Sequence, residues 1–430
     1  MFTSMMRRAL FGSGDSALLS LDFTAGTVPT ALTFTRADST ARATFIDASG
    51  YVKTVASAGA ARFDYTGGVA KGLLIEAAAT NYMLYSTALN PHSTFNMRTI
   101  ATASITDPEG TTDKARIIAA DGTTGYHVRF VAITAGTNTT ITISIFAKKN
   151  GYKYLHLADG GSGRSAVLFD LDDGTTSNSA GPGFVSASAI SYPNGWWRCS
   201  MVVNVTASTS YAWGYVGVPT TGATLSAYGA QYTGANTDTD GIYCYGFQVE
   251  AGSVASSLIK TTTAALTRLA DDAVIRSTAW TGLYAQPGAM VVEFYRGAYG
   301  AGDRSVLATD TTAARHWDLL HANGSATSQI AFSSGSAVTQ TGLVSGLNKV
   351  ALAWNAPTPT ASFDLCVNGA TPTFGGSNVG TTLSTWLTLG SQSTTGVSGS
   401  GTWDNYLNNS IKSVKYYTGL TYAEMQAKTT

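Results

Sequence analysis

Apolar and polar residues alternate along most of this chain with the period of two that a half-buried strand requires. Leu19, Leu21 and Phe23 alternate with Ser20 and Asp22. Ile141, Ile143, Ile145 and Ala147 share one face, opposite Thr142, Ser144 and Phe146. Trp197, Cys199, Met201, Val203 and Val205 share another, and so do Tyr243, Tyr245, Phe247 and Val249. Towards the C-terminus the same pattern returns in Met290-Val292-Phe294, Trp317-Leu319-His321 and Val350-Leu352-Trp354. The run Gly72-Leu73-Leu74-Ile75-Glu76 is short and apolar, as expected of a strand covered on both faces. Asp47-Ala48-Ser49-Gly50, Asp172-Asp173-Gly174 and Asn368-Gly369 are turn signals, the last a hairpin signal. A Thr421-x-x-Glu424 capping box predicts one short terminal helix.

These elements predict an all-β protein of tandem antiparallel β-sandwiches, the first jelly-roll-like. A chain of 430 residues is too long for one core. The expected division is an arm over 1–16, a small β base module over 17–89, a jelly-roll sandwich over 90–272 and a second sandwich over 285–430. The Thr/Ser/Ala-rich stretch 256–280 is read as a linker ending near Asp272.

Hydrophobic residues make up 44% of the chain, enough for packed cores throughout. Charged residues make up only 12%, about half of the ~25% usual in soluble domains, so hydroxyls and amides must form the surface. Such a surface has little field to steer a charged ligand. The net charge is zero and no basic run carries interleaved aromatics, which argues against nucleic acid as a partner. Cys199, Cys244 and Cys366 lie far apart without a Cys-x-x-Cys pair, so buried reduced thiols are expected, as in a reducing cytoplasm. Arg7-Arg8 is followed by Gly12-Ser13-Gly14-Asp15 instead of an apolar run, which rules against a signal peptide. No window approaches the ~18 apolar residues of a membrane span. Residues 1–16 are instead read as an attachment arm, with Phe2, Met5, Met6, Leu10 and Phe11 as anchors beside Arg7 and Arg8.

Residues 34–86 are dense in charge and in large apolar residues. They read Phe34-Thr35-Arg36-Ala37, Asp47-Ala48-Ser49-Gly50, Arg62-Phe63-Asp64-Tyr65, Lys71-Gly72-Leu73-Leu74-Ile75-Glu76 and Thr80-Asn81, closing on Tyr85-Ser86. Later come Asn194-Gly195-Trp196-Trp197-Arg198-Cys199, and Gly246-Phe247-Gln248-Val249-Glu250 through Leu266-Thr267-Arg268-Leu269-Ala270-Asp271. In this order the motifs, over roughly 34–272, resemble the N-terminal module of bacteriophage head-spike and fibre proteins. One departure is Ala77-Ala78-Ala79, where the resemblance leads one to expect polar residues and an Arg. The pattern over about 285–428 resembles laminin-G or concanavalin A-like lectin domains. The resemblance implies a virion structural protein, a head spike or fibre subunit, with a tail fibre or tail-tip subunit as the alternative. It also implies virion proteins as partners of the arm, host-surface glycan as ligand, and a homo-oligomer with a trimer favoured.

No catalytic residue, metal site or cofactor is assigned. His92, His127, His156, His316 and His321 form no His-Glu-x-x-His, and no Gly-x-Ser-x-Gly elbow occurs. A polysaccharide depolymerase would need two carboxylates facing across a groove, and the sequence singles out no such pair. Asn236-x-Asp238-x-Asp240-Gly241 opens like a calcium loop, but its twelfth position is Phe247. It is read as a polar turn, as are Asp170, Asp172 and Asp173. Arg36, Arg62, Asp64 and Glu76 are read as a structural ion-pair network. Carbohydrate sites combine flat aromatic rings with amide and hydroxyl partners. The candidates are Tyr211, Trp213 and Tyr215, on one face of a strand, together with Trp317 and Trp403. An outward face would make the first three a sugar platform, an inward face a core.

Overall fold

The computed structural model describes residues 17–98, 101–134, 140–160, 165–205, 210–226, 229–276, 288–297, 304–309, 317–322, 327–332, 337–354, 362–377, 386–391 and 406–430. It is almost wholly β-structure, with the helix Tyr422–Thr429 and a single-turn 3-10 helix, Pro193–Gly195, among the described residues. The all-β, antiparallel expectation holds. Among the described residues, no helix is long and apolar enough to cross a membrane.

Two compact units are present. We call them the split sandwich, built from 17–41, 55–78 and 269–430, and the inserted sandwich, built from 42–54 and 79–268.

One sheet of the split sandwich runs in the order Thr373–Ser377, Ser362–Val367, Gly346–Trp354, Gly288–Arg296, Asn409–Tyr417, Val69–Ile75 and Phe63–Thr66. Leu19–Asp22 also pairs with Asn409–Tyr417, Leu19 opposite Tyr416. The second sheet begins with Thr33–Thr35, Asp272–Arg276 and Trp386–Leu389. Leu21, Leu73, Ile75, Met290, Val292, Trp354 and Leu387 share the core between the sheets. The separate base module expected over 17–89 is therefore not formed. A strand as apolar as 72–76 needs cover on both faces, and a piece of some 70 residues has little core to offer. It finds that cover beside Asn409–Tyr417, with Ile75 opposite Asn409. Gly72 makes the approach possible: its φ is +104°, and a Cβ there would lie 2.1 Å from the Ile411 carbonyl oxygen.

The inserted sandwich packs a six-stranded sheet, which includes Trp196–Asn204, Thr140–Asn150 and Gly241–Ala251, on a second sheet centred on Tyr154–Asp159, Ser210–Val218 and Thr124–Thr134. The chain enters at Ala79–Asn81 and leaves at Leu266–Arg268, two strands paired antiparallel. The 256–280 linker is thus also corrected. Leu258 and Ile259 are buried, and Asp272–Arg276 is a strand of the split sandwich's second sheet, while 277–287 lie outside the described residues.

The predicted faces hold for 141–147 and 197–205 but not for 243–249. Gly246 has φ +64°, and the register with Thr140–Asn150 slips between Ser144 and Phe146. One extra residue flips every side chain beyond it to the other face. Phe247 and Val249 therefore join the main core with Cys244. Tyr245 instead packs on the sheet's other side with Phe146, Trp196, Val52 and Leu258, where Tyr243 adds partial cover.

Candidate functional site

Tyr211, Trp213 and Tyr215 do share one face of Ser210–Val218, but that face points inward. They are 0%, 1% and 0% exposed and belong to the core of the inserted sandwich. The Tyr211 and Trp213 rings stack at 5.5 Å, and Tyr215 meets Phe247 edge-on at 4.9 Å. None of the three offers a face to a sugar, so they are corrected from site to core. Trp317 lies on the strand Trp317–Ala322, with its side chain outside the described residues. Trp403 lies outside them too, as do the arm residues Phe2, Met5, Met6, Arg7, Arg8, Leu10 and Phe11.

Three described histidines, His92, His127 and His156, are buried, and burial lowers the pKa of each. His92 Nε2 lies 3.1 Å from the Leu84 carbonyl, so it carries the proton, and Nδ1 accepts from Tyr215 Oη at 2.9 Å. Burial, aided by the Arg129 charge, pulls the His92 pKa down to about 4 against that carbonyl. Burial alone takes His156 to about 4. Groups held so far below neutrality are poor proton shuttles at pH 7.

The acidic loops are satisfied internally. Arg98 donates to Asp238 Oδ1 and to the Asn236 carbonyl, and Thr237 Oγ1 donates to Asp240. Asp170 and Asp172 pair with Lys153 and Lys149, while Asp173 accepts from Thr175. Both loops are pinned turns. The three cysteines are buried and free.

The charged motifs of 34–86 form a buried hub. Arg36 donates to Asp38 at 2.8 Å and to Asp271 at 3.0 Å. Arg62 donates to both Glu76 and Asp271, and Asp271 also accepts from the Glu76 backbone N–H. Burial opposes the charge on Arg62, but Asp271 and Glu76 outweigh it and raise its pKa. Asp64 stands apart, 3.6 Å from Lys71. The hub residues come from all three segments of the split sandwich, with Asp271 as the shared acceptor.

Among the described residues several large apolar side chains are open to solvent, Phe95 and Tyr126 among them, and one exposed pair of aromatic rings, which the sequence pattern did not single out, packs ring against ring. Phe374 is 74% exposed and Tyr422 is 48% exposed. Their planes lie within 5° of parallel, with centroids 6.4 Å apart, an offset that leaves both rings accessible. Both positions are rigidly placed. Phe374 follows the Asn368-Gly369 turn, where φ is +46° and +75°, and sits on the edge strand Thr373–Ser377 opposite Asp364. Tyr422 is the first residue of the terminal helix, directly after its Thr421 cap. Met425 and Leu420 pack this part of the chain onto Ala351, Ala353 and Cys366 of the sheet. Tyr422 Oη donates to Asp364 Oδ1 at 3.5 Å.

No protein-family model matches the chain, and no curated protein is similar to it. Among solved structures, it is similar to the CBM40 module of the Ruminococcus gnavus IT-sialidase bound to α2,3-sialyllactose: 18% identity, 35% of this chain, 87% of that one, TM-score 0.27. It is also similar to mouse laminin α1 domains LG4-5, at 10% identity over 70% of this chain and 90% of that one, TM-score 0.24. A third is the Trypanosoma rangeli sialidase in complex with sialic acid, at 11% identity over 78% and 62%, TM-score 0.29. At such values nothing about ligand or activity passes to this chain. The geometry on its own offers two exposed, parallel aromatic rings with a carboxylate beside the tyrosine hydroxyl.

Proposed function

We propose that this chain is a binding protein that recognises carbohydrate through the Phe374–Tyr422 strip, displayed as a subunit of a virion appendage. The observation that carries the binding reading is the exposed, parallel ring pair on two fixed elements. Sugars present apolar C–H faces that lie flat on such rings, and a surface with 12% charge suits an uncharged ligand. Covering roughly 60–100 Å² of ring at about 25 cal/mol per Å² is worth about 1.5–2.5 kcal/mol per ring. The virion placement, head spike or fibre with tail fibre as the alternative, rests on the motif order over 34–272.

A glycan array read with wild type, Phe374→Ala and Tyr422→Ala tests the binding reading. Loss of about tenfold or more in affinity with unchanged melting is expected. Equal binding by all three proteins, or none by wild type, rejects it. Self-association lost in the variants would assign the strip to a subunit interface instead. Release of reducing ends from host capsule would replace the binder by a depolymerase. For the placement, deleting residues 1–16 should leave folded protein that no longer joins particles; normal incorporation counts against the arm. Light scattering checks the expected trimer.

A further inference from the structure

We infer that the inserted sandwich holds a small monovalent anion at Arg129, taken from solution as a structural ligand. This goes beyond the carbohydrate reading and concerns the other unit of the chain. Arg129 lies directly opposite Tyr215 on the neighbouring strand, so its side chain enters the core between the two sheets. It is 3% exposed. Its described hydrogen bond runs from Nη2 to the Arg98 carbonyl at 2.8 Å, and its buried Nε has no partner. A guanidinium presents five N–H groups in a planar fork and keeps its charge in proteins. With one Nη2 hydrogen engaged, at least one two-donor edge of that fork stays whole.

Among the described residues no carboxylate pairs with Arg129. Asp238 is taken by Arg98. The groups that feel the Arg129 charge are the His92 ring, the Tyr215 hydroxyl and the Cys244 thiol, and burial keeps all three neutral. Arg116 enters the same core from the facing sheet, opposite Cys244. It donates to the Ala88 and Asp113 carbonyls and to the Thr102 hydroxyl, so it adds positive charge without a carboxylate bound to it. Arg36 and Arg62 in the split sandwich are buried as deeply, and each holds two carboxylates. A charge hidden from water is costly unless a counter-charge joins it. At Arg129 that counter-charge has to come from solution, and a pair of parallel donors suits a halide or a small planar oxyanion. The route is short: the other cross-strand neighbour of Arg129 is Thr94, on the exposed strand Ser93–Phe95.

The test melts the full chain while sodium chloride replaces sodium gluconate at a constant total of about 0.5 M, so that screening stays equal. Gluconate is too bulky for a buried site. Going from gluconate to chloride, the melting temperature of wild type should rise by about 2–6 °C along a saturating curve. Arg129→Met keeps the unbranched stem and removes the charge, and should lose that rise. A second measurement needs no variant. Wild-type crystals soaked in bromide should show an anomalous peak within hydrogen-bond reach of the Arg129 guanidinium. The inference is overturned if wild type melts alike in both salts, or if Arg129→Met keeps the full rise. It is equally overturned if bromide marks other sites and leaves Arg129 without a peak. None of these results bears on glycan binding at Phe374 and Tyr422, so the two readings fail separately.

Discussion

In the split sandwich the buried polar groups form a hub of full charges, two guanidinium groups among three carboxylates. In the inserted sandwich His92 sits as a neutral group against the Tyr215 hydroxyl and the Leu84 carbonyl, and Gln248 and Glu250 share hydrogen bonds with Ser256. The difference follows the course of the chain. Arg36 and Asp38 come from one segment, Arg62 and Glu76 from a second, and Asp271 from a third. Removing one partner of a charge pair hidden from water leaves the other uncompensated, so the hub ties the three segments to one another. The inserted sandwich is nearly contiguous, and its buried carboxylate Glu109 pairs with Lys114 and Lys260 of the same segment.

The largest effect should come from cutting the chain where the sequence suggested domains. A 285–430 piece should show no cooperative unfolding by circular dichroism. It keeps Gly288–Arg296 beside Asn409–Tyr417 but lacks that strand's two other partners, Leu19–Asp22 and Val69–Ile75, and also Asp272–Arg276 from the other sheet. A 42–268 piece should melt cooperatively. Folding of the first piece alone would dissolve the distinction.

Next, Asp271→Ala should cost the full chain about 3–5 kcal/mol in denaturant unfolding, because it removes the carboxylate that two buried guanidinium groups share and leaves each with one, Asp38 or Glu76. Trp213→Ala should cost the 42–268 piece a similar 3–5 kcal/mol through the cavity it leaves. A Trp on an open sugar platform would cost within about 0.5 kcal/mol. Smallest is the acid response of the 42–268 piece. His92 and His156 have folded pKa values near 4, below the unfolded value near 6.5. Their contribution is complete above about pH 6.5 and erodes as pH falls towards 4, since only the unfolded chain takes up the proton. Each is worth roughly 1–3 kcal/mol. His156→Leu should flatten the fall in melting temperature between about pH 7 and 4.5; an unchanged slope would show that His156 is not its source.

Strand existence and most faces were legible because period-two alternation reports burial directly, as in 141–147 and 197–205. The charge density at Arg36, Arg62 and Glu76 also marked the hub, although Asp271 was not recognised as its centre. Alternation says nothing about which strand lies next door, so the pairing of Leu19 with Tyr416 was hidden. It also cannot see a left-handed glycine, and Gly246 reversed the expected faces around it. The aromatic triplet read equally well as core or platform, since spacing does not say which side is wet. Phe374 did carry a faint signal. It stands alone between Thr373 and Gly375-Gly376, a strand position with no apolar neighbour to share a core.

The pairing of Val69–Ile75 with Asn409–Tyr417 also sets an order of events during synthesis. Ile75 meets Asn409, so 334 residues must be translated between the two halves of that contact. At about 5–20 residues per second, the early strands wait roughly 20–70 s for their neighbour. Once residue 268 is made, residues 79–268 are complete and can collapse, while Leu73 and Ile75, on a strand paired only with Phe63–Thr66, still lack Asn409–Tyr417. The nascent chain is therefore most exposed to aggregation at its oldest residues, where a ribosome-associated chaperone would have to act.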